Sequence, residues 1–386
     1  MQDFFEFGLG ARILYKAGLV REMSSEVLRM GFDARRALIV ADKGVIDAGL
    51  LDQVKEGLQD AIEIAGLFED VPANSSVRAV EAGAALAIEN GADFVVAVGG
   101  GSPLDTAKCI RILMTHGGQI LDYQGYNVLD RRLVPMVAIP TTIGTGSEVT
   151  PYAMILDEEQ NLKVAFASSF LAPDIAILDP EMTRTLPAHL AAATGMDALS
   201  HAIETLVSTE HNPFSDSLAL HSIDMISNYL RDAIHRGGDL EARGQMLVAA
   251  CMAGIACANS LFGVIHALSH AVGGKFHVHH GTLNSIFLPY GMQFNSAVVP
   301  DRYVRIALAM GVNIGGRSDA EVIADGIAAV RTLASDCSLP ARLRDVGVPQ
   351  DALEELAAIA LTDGAIFNNP RSATQEELQE ILVAAW

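Results

Sequence analysis

The chain has 386 residues, room for two domains and a large core, and half of them are hydrophobic while 19% are charged, which excludes intrinsic disorder. A formal net charge of -21 leaves no basic footprint for nucleic acid or an anionic membrane surface and suits a protein acting on small molecules. Cys109, Cys251, Cys257 and Cys337 form neither a CxxC pair nor a disulfide-like framework, which fits a reducing cytoplasm and argues against a thiolate zinc site.

The opening segment MQDFFEFGLGARILYK has no basic stretch leading into an apolar one, so a signal peptide is not expected. Residues 36–40 read as a strand and 45–62 as a helix. Residues 75–90 follow as a helix closed by Gly91, and 94–98 as a short apolar strand of the kind buried on both faces of a parallel sheet. Helical 103–115 and a buried strand at 134–139 come next. The runs 152–156 and 162–167 flank Asp157-Glu158-Glu159 and read as a hairpin at the rim of the sheet; 175–178 is a further strand. From about residue 187 Ala- and Leu-rich helical periodicity takes over. The expected organisation is therefore a parallel α/β dinucleotide-binding domain over 1–185 and an all-helical, metal-binding domain over 186–386. Residues 246–265 carry no charge and imitate a membrane span, but Ala, Gly, Cys and Asn259-Ser260 mark them as a helix buried inside a domain.

Two loops carry phosphate-binding character. Gly99-Gly100-Gly101-Ser102 follows the strand at 94–98, and glycines there let the backbone approach a ligand closely. Ser102 is placed to cap the next helix, Pro103 to begin it and Asp105 to complete a capping box; the free N–H groups of such a terminus suit a pyrophosphate. The turn lacks the GxGxxG spacing, so an ordinary Rossmann fingerprint does not apply. Thr141, Thr142 and Thr145 lie in a second loop of small hydroxyl residues after the strand at 134–139, on the same side of an α/β sheet. Asp42, just past the first strand, is placed to accept from a ribose hydroxyl and to repel a 2′-phosphate, which favours NAD over NADP.

The helical half holds the metal-ligating character. Asp197 and His201 stand at i and i+4, presenting a carboxylate and an imidazole to one point. His266, His270, His277, His279 and His280 cluster further on. A straight helix would put His280 about 21 Å from His266, so the chain must break between them, and Gly273-Gly274 is the expected place. Spacing alone does not choose which histidines bind; one acid plus imidazoles suits Fe(II) or Zn(II).

These motifs, GGGSPLDTAK, PTTIGTGSEVT, TGMDALSHAIE and HALSHAVGGKFHVHHG with Asn369-Pro370-Arg371, resemble the iron-containing (group III) alcohol dehydrogenases, and the likeness runs from end to end. Within that family the chain is similar to lactaldehyde reductase and 1,3-propanediol dehydrogenase. The resemblance implies a dehydroquinate synthase-like fold and reversible hydride transfer between a small primary alcohol and NAD⁺, with Fe²⁺ (or Zn²⁺) on Asp197, His201, His266 and His280. His280 is preferred to His279 because the family's ligand directly precedes the glycine. His270 matches a histidine near the reaction; Asp42, Asn74, Asp105, Thr141, Thr142, Thr145 and Lys163 match cofactor-contacting positions. Many similar members carry Asn where this chain has His277, whose imidazole would line the substrate pocket or relay protons. A homo-oligomer is also implied. The rivals are a zinc polyol oxidoreductase resembling glycerol dehydrogenase and a catalytically silent NAD- or metal-binding protein.

Overall fold

A computed structural model describes residues 4–32, 35–59, 61–160 and 162–386. The chain forms two compact units: Leu9–Thr142 with Gly146–Leu186, and Pro187–Trp386 with Ile143–Thr145 and the described part of Met1–Gly8.

The strands of the first unit are β1 (Arg12–Tyr15), β2 (Arg36–Ala41), β3 (Glu63–Phe68), β4 (Phe94–Gly99), β5 (Gly125–Tyr126), β6 (Met136–Pro140), β7 (Tyr152–Asp157), β8 (Leu162–Ala167) and β9 (Ile175–Leu178). Its helices are α1 (Met23–Arg29), α2 (Lys43–Asp47), α3 (Leu51–Leu58), α4 (Val77–Glu89) and α5 (Gly101–His116). Six strands make one fully parallel sheet in the order β1-β9-β6-β4-β2-β3. Side chains alternate across it: Val95 and Ala97 of β4 join a core with α4 and α5, while Phe94, Val96 and Val98 join a second core with α1 and α3. Both faces are covered, which is why β4 is an unbroken apolar run rather than an alternating one. The chain steps from β2 out to β3, returns past β2 to β4 and continues to β6. The carboxyl ends of β2 and β4 thus flank a topological switch point, where open α/β sheets bind ligands. Asp42 follows β2 there, and the glycine turn follows β4.

Three local expectations are corrected. The helix expected over 45–62 is two helices, because Gly49 takes φ 70, a left-handed turn that ends α2 and redirects the chain into α3. Asp60 of that expected helix lies outside the described residues. The hairpin at 152–167 is antiparallel as expected, but it belongs to a separate sheet, β5-β8-β7, rather than to the rim of the parallel one. The glycine turn is capped by Gly100, not Ser102, because α5 begins two residues before Pro103. Ser102 Oγ instead donates to the Ala73 carbonyl, 2.6 Å away. Asp105 forms no capping box: it accepts from Ser147 Oγ (2.6 Å) and the Met154 amide (3.0 Å).

The second unit contains α6 (Ala188–Val207), α7 (Pro213–His235), α8 (Leu240–Ser260), α9 (Val264–Phe276), α10 (His280–Asn295), α11 (Pro300–Ala309), α12 (Asp319–Asp336), α13 (Leu353–Leu361) and α14 (Gln375–Ala385), with no strand among the described residues. Among the described residues, α8 alone is long and apolar enough to cross a membrane, and most of it is buried within the protein. The single helix expected over 246–265 is interrupted: α8 stops at Ser260, Leu261 takes φ 62, and α9 restarts at Val264.

The seam between α5 and β7 is polar. Lys108 is fully buried and donates to Ser147 Oγ (2.8 Å), Thr150 Oγ1 (3.2 Å), the Tyr152 carbonyl (2.6 Å) and Asp105 Oδ1 (3.3 Å). Nearby, burial pushes the Glu148 carboxyl from 4.5 up to about 7. A folded value above the ordinary one means that Glu148 favours folding below about pH 4.5 and loses that contribution as pH rises through about 7. Glu148→Gln removes this loss. The drop in Tm between about pH 5 and about pH 8 should therefore be smaller in the variant than in the parent by scanning calorimetry; equal drops would refute the shift.

Candidate metal centre and cofactor-binding turn

Three helices of the second unit meet at one point. Asp197 and His201 lie one turn apart on α6, and Glu204 stands at i+7 on the same face. His266 and His270 lie one turn apart on α9. His280 is the first residue of α10, with Asn284 one turn on. One ligand atom each from Asp197, His201, His266 and His280 fall within 4.8 Å of one another. Asp197 Oδ1 is 3.6 Å from His201 Nε2 and 3.7 Å from His280 Nε2. Donors about 2.1 Å from a shared ion at tetrahedral angles stand about 3.4 Å apart, so the residues fit a divalent transition metal. His279 caps α10 from outside this group.

Close approach of α10 to α6 requires the glycine that follows His280. A Cβ at Gly281 would lie 2.3 Å from the Ala193 carbonyl oxygen and 3.2 Å from Asp197 Cβ. The break that brings His280 back toward His266 is not at Gly273-Gly274, where α9 continues unbroken. It is at His277, in the left-handed conformation (φ 54, ψ 27), its amide bonded to the Gly273 carbonyl. Glycines cost a helix only about 1 kcal/mol each, and the buried face of α9, which includes Leu268 and Val272, outweighs that. A left-handed position accepts His or Asn more readily than most residues, so Asn in similar members preserves this turn. The His277 side chain is exposed, and no described ring contact joins it to the other histidines.

Burial sets the charge states. Desolvation drives His266 and His280 well below their ordinary pKa, so both are neutral imidazoles, the form that ligates a metal. Burial works to raise the Asp197 carboxyl, but His201 beside it and the hydrogen bond from the Asn284 amide are among the neighbours that bring it below the ordinary carboxylate value. Glu204 accepts from the Ile265 amide at 2.7 Å, the His266 amide at 3.3 Å and His266 Nδ1. Its carboxylate thereby holds the Nδ1 proton and leaves Nε2 free. His270 Nδ1 pairs in the same way with Asp363 Oδ2, 2.9 Å away, and its ring stacks on His280 with centroids 5.3 Å apart. Phe262 stacks on His266, centroids 4.1 Å apart.

In the first unit, Gly99 has φ 148, and a Cβ there would lie 2.6 Å from Pro103 Cγ. Only glycine fits, and the first backbone N–H groups of α5 have no acceptor within the helix. Thr141 donates its amide to the Gly99 carbonyl, and Thr142 Oγ1 is buried without a partner among the described residues. Asn74 is exposed beside Ala73, which Ser102 holds. Asp42 caps α2 by accepting from the Val45 amide at 2.9 Å. Lys163, on β8, lies in the field of Asp105, but desolvation lowers its pKa. Thr145 falls in the short segment grouped with the second unit.

Residues 10–180 match the family model for iron-containing alcohol dehydrogenases, and residues 191–386 match its C-terminal counterpart. The NAD-dependent methanol dehydrogenase of Bacillus methanolicus is 36% identical over 95% of each chain. A crystal structure of 1,3-propanediol oxidoreductase superimposes with TM-score 0.96 at 35% identity, covering 99% of this chain and 100% of that one. A sulfoacetaldehyde reductase from Bifidobacterium kashiwanohense, solved with NAD⁺, gives TM-score 0.89 at 28% identity over 100% of this chain and 99% of that one. The chain belongs to the iron-containing alcohol dehydrogenases. It is an oxidoreductase acting on alcohols and aldehydes, with the fold that the motifs led us to expect.

Sequence reading of this dehydrogenase missed Glu204, Asn284, Asp363 and Phe262. Glu204 left a signal, since i, i+4, i+7 puts it on the face of Asp197 and His201. Glu204→Gln weakens the hold on the His266 tautomer, and metal affinity should fall by about 10- to 100-fold. Competition with a chromophoric chelator measures it; unchanged affinity would remove Glu204 from the centre.

Proposed function

We propose that this alcohol dehydrogenase is NAD- and iron-dependent and interconverts a small primary alcohol and its aldehyde. The observation carrying this reading is the convergence of one carboxylate and three imidazoles within 4.8 Å, with Asp197, His201 and His266 buried. In the balanced reaction, alcohol and NAD⁺ give aldehyde, NADH and a proton. Asp197, His201, His266 and His280 would hold a divalent metal, which would supply a Lewis acid for the substrate hydroxyl, and a nicotinamide would supply the hydride acceptor, chemistry intrinsic to that cofactor.

The chain's own residues bind, orient and move the proton. The glycine turn and the first turn of α5 hold the pyrophosphate, with Asn74, Ser102, Asp105, Thr141, Thr142, Thr145 and Lys163 as further contacts. His270 takes up the released proton: with Asp363 on Nδ1, its Nε2 is the acceptor. His277 serves the turn that delivers His280, and its exposed imidazole borders the substrate's approach. Four buried cysteines outside any disulfide support a reducing, cytoplasmic setting, and we expect a homo-oligomer, which sedimentation would show.

Chelator treatment should abolish alcohol-dependent NADH formation, and Fe(II) should restore it more fully than Zn(II). Restoration by Zn(II) alone would favour the zinc polyol reading, and indifference to metal would defeat both. Asp42 sits at the end of β2 with its carboxylate fixed by the α2 cap. Asp42→Ala should raise kcat/KM with NADP relative to NAD by about tenfold or more, since a desolvated like-charge clash costs over about 1.4 kcal/mol. A ratio unchanged by the substitution would remove Asp42 from cofactor choice.

A further inference from the structure

Asn284 is wholly buried on α10. Its Nδ2 lies 2.7 Å from Asp197 Oδ1, 3.1 Å from His280 Nε2 and 3.2 Å from His266 Nε2. Three acceptors from three helices thus surround a nitrogen with only two hydrogens. Its Oδ1 is buried with no partner among the described residues, so the side chain is held by its donor end alone. Asn284 is also the one described side-chain donor to the Asp197 carboxylate. Without it, that oxygen and two imidazole lone pairs would face one another with nothing positive between them, a costly arrangement in a buried site.

We propose that Asn284 is a further member of the metal centre, a positioning residue whose amide donates to Asp197 and keeps the carboxylate, His266 and His280 aimed at one point. Its two hydrogens serve the same lone pairs that a divalent cation uses. Cation binding therefore takes over the contacts to the imidazoles, while the bond to Asp197 persists and orients the carboxylate. The sequence fits the role, since Asn284 follows His280 by one helical turn and shares its face. This inference rests on reading the cluster as a metal site.

The test uses Co(II), whose visible spectrum reports ligand geometry, titrated into full-length, chelator-stripped protein against a competing chelator. The parent should bind one Co(II) per chain; failure to bind overturns the metal reading itself. Asn284→Leu, which keeps the branched shape in a bulkier side chain without donor or acceptor, should weaken Co(II) affinity by about 10- to 100-fold and shift the spectrum. Asn284→Ser keeps a hydroxyl donor in a smaller side chain that packs without strain, and should fall between the two. Circular dichroism of the stripped proteins reports folding, so the serine variant decides the matter if the leucine variant does not fold. A parent that binds Co(II) together with a folded variant binding within about threefold of it, with the same spectrum, overturns the role of Asn284 and leaves the metal site standing.

Discussion

A buried carboxylate at the start of a helix organises the histidine-rich end of the second unit. Glu204, 1% exposed, meets the N-terminus of α9, where the amides of Ile265 and His266 lack partners within the helix. Gly263 has no side chain to cap that terminus, and none would fit, since a Cβ there would lie 2.6 Å from Asn369 Oδ1 and 3.1 Å from Glu204 Oε1. Asn369 accepts from the Val264 amide, so two residues distant in sequence do the work of a cap. Burying Glu204 is expensive, and desolvation raises its pKa to about 7; the α9 amides and the positive end of the helix dipole offset part of that cost. The same carboxylate takes the Nδ1 proton of His266, so one group fixes the position of a helix and the tautomer of a residue on it.

From that tie the rest of the centre follows by close packing. Asn369 also exchanges hydrogen bonds with Asn295 at the end of α10, in both directions at 2.7 and 2.8 Å, which ties α10 to the start of α9. Gly281 lets the first turn of α10 touch α6. Each contact is short and polar or lacks a side chain, and such contacts tolerate little sliding. Helices positioned this way hold donor atoms more exactly than a loop would.

How much of this was legible follows from the range of each interaction. The parallel sheet was, because β4 and β6 are buried on both faces and read as unbroken apolar runs. Asp197 and His201 were, because one helical turn is a local distance. The choice of His266 and His280 among five clustered histidines came from the resemblance, since it depends on a reversal that the sequence placed at Gly273-Gly274. There the local rule failed because tertiary packing along α9 outweighs a modest glycine penalty, and His277 makes the turn instead. Ser102 failed as a cap because α5 begins one residue earlier, which puts Ser102 in its first turn with its hydroxyl on the Ala73 carbonyl. Asp363 left no pattern, and the helical spacing of Asn284 from His280 did not mark it as facing Asp197, because both contacts exist only where separate elements meet.

The two kinds of chemistry sit on two kinds of backbone for a physical reason. A pyrophosphate is bound by main-chain N–H groups, which a strand–turn–helix junction exposes at little cost provided that nothing but glycine stands in the way. A metal needs side-chain lone pairs held neutral or singly charged in a dry place, and helices packed on one another supply that. The low basicity of His266 is therefore reinforced by the core: each apolar neighbour that keeps water from this buried imidazole also disfavours its protonated form. Phe262, flat against His266, contributes to both at once.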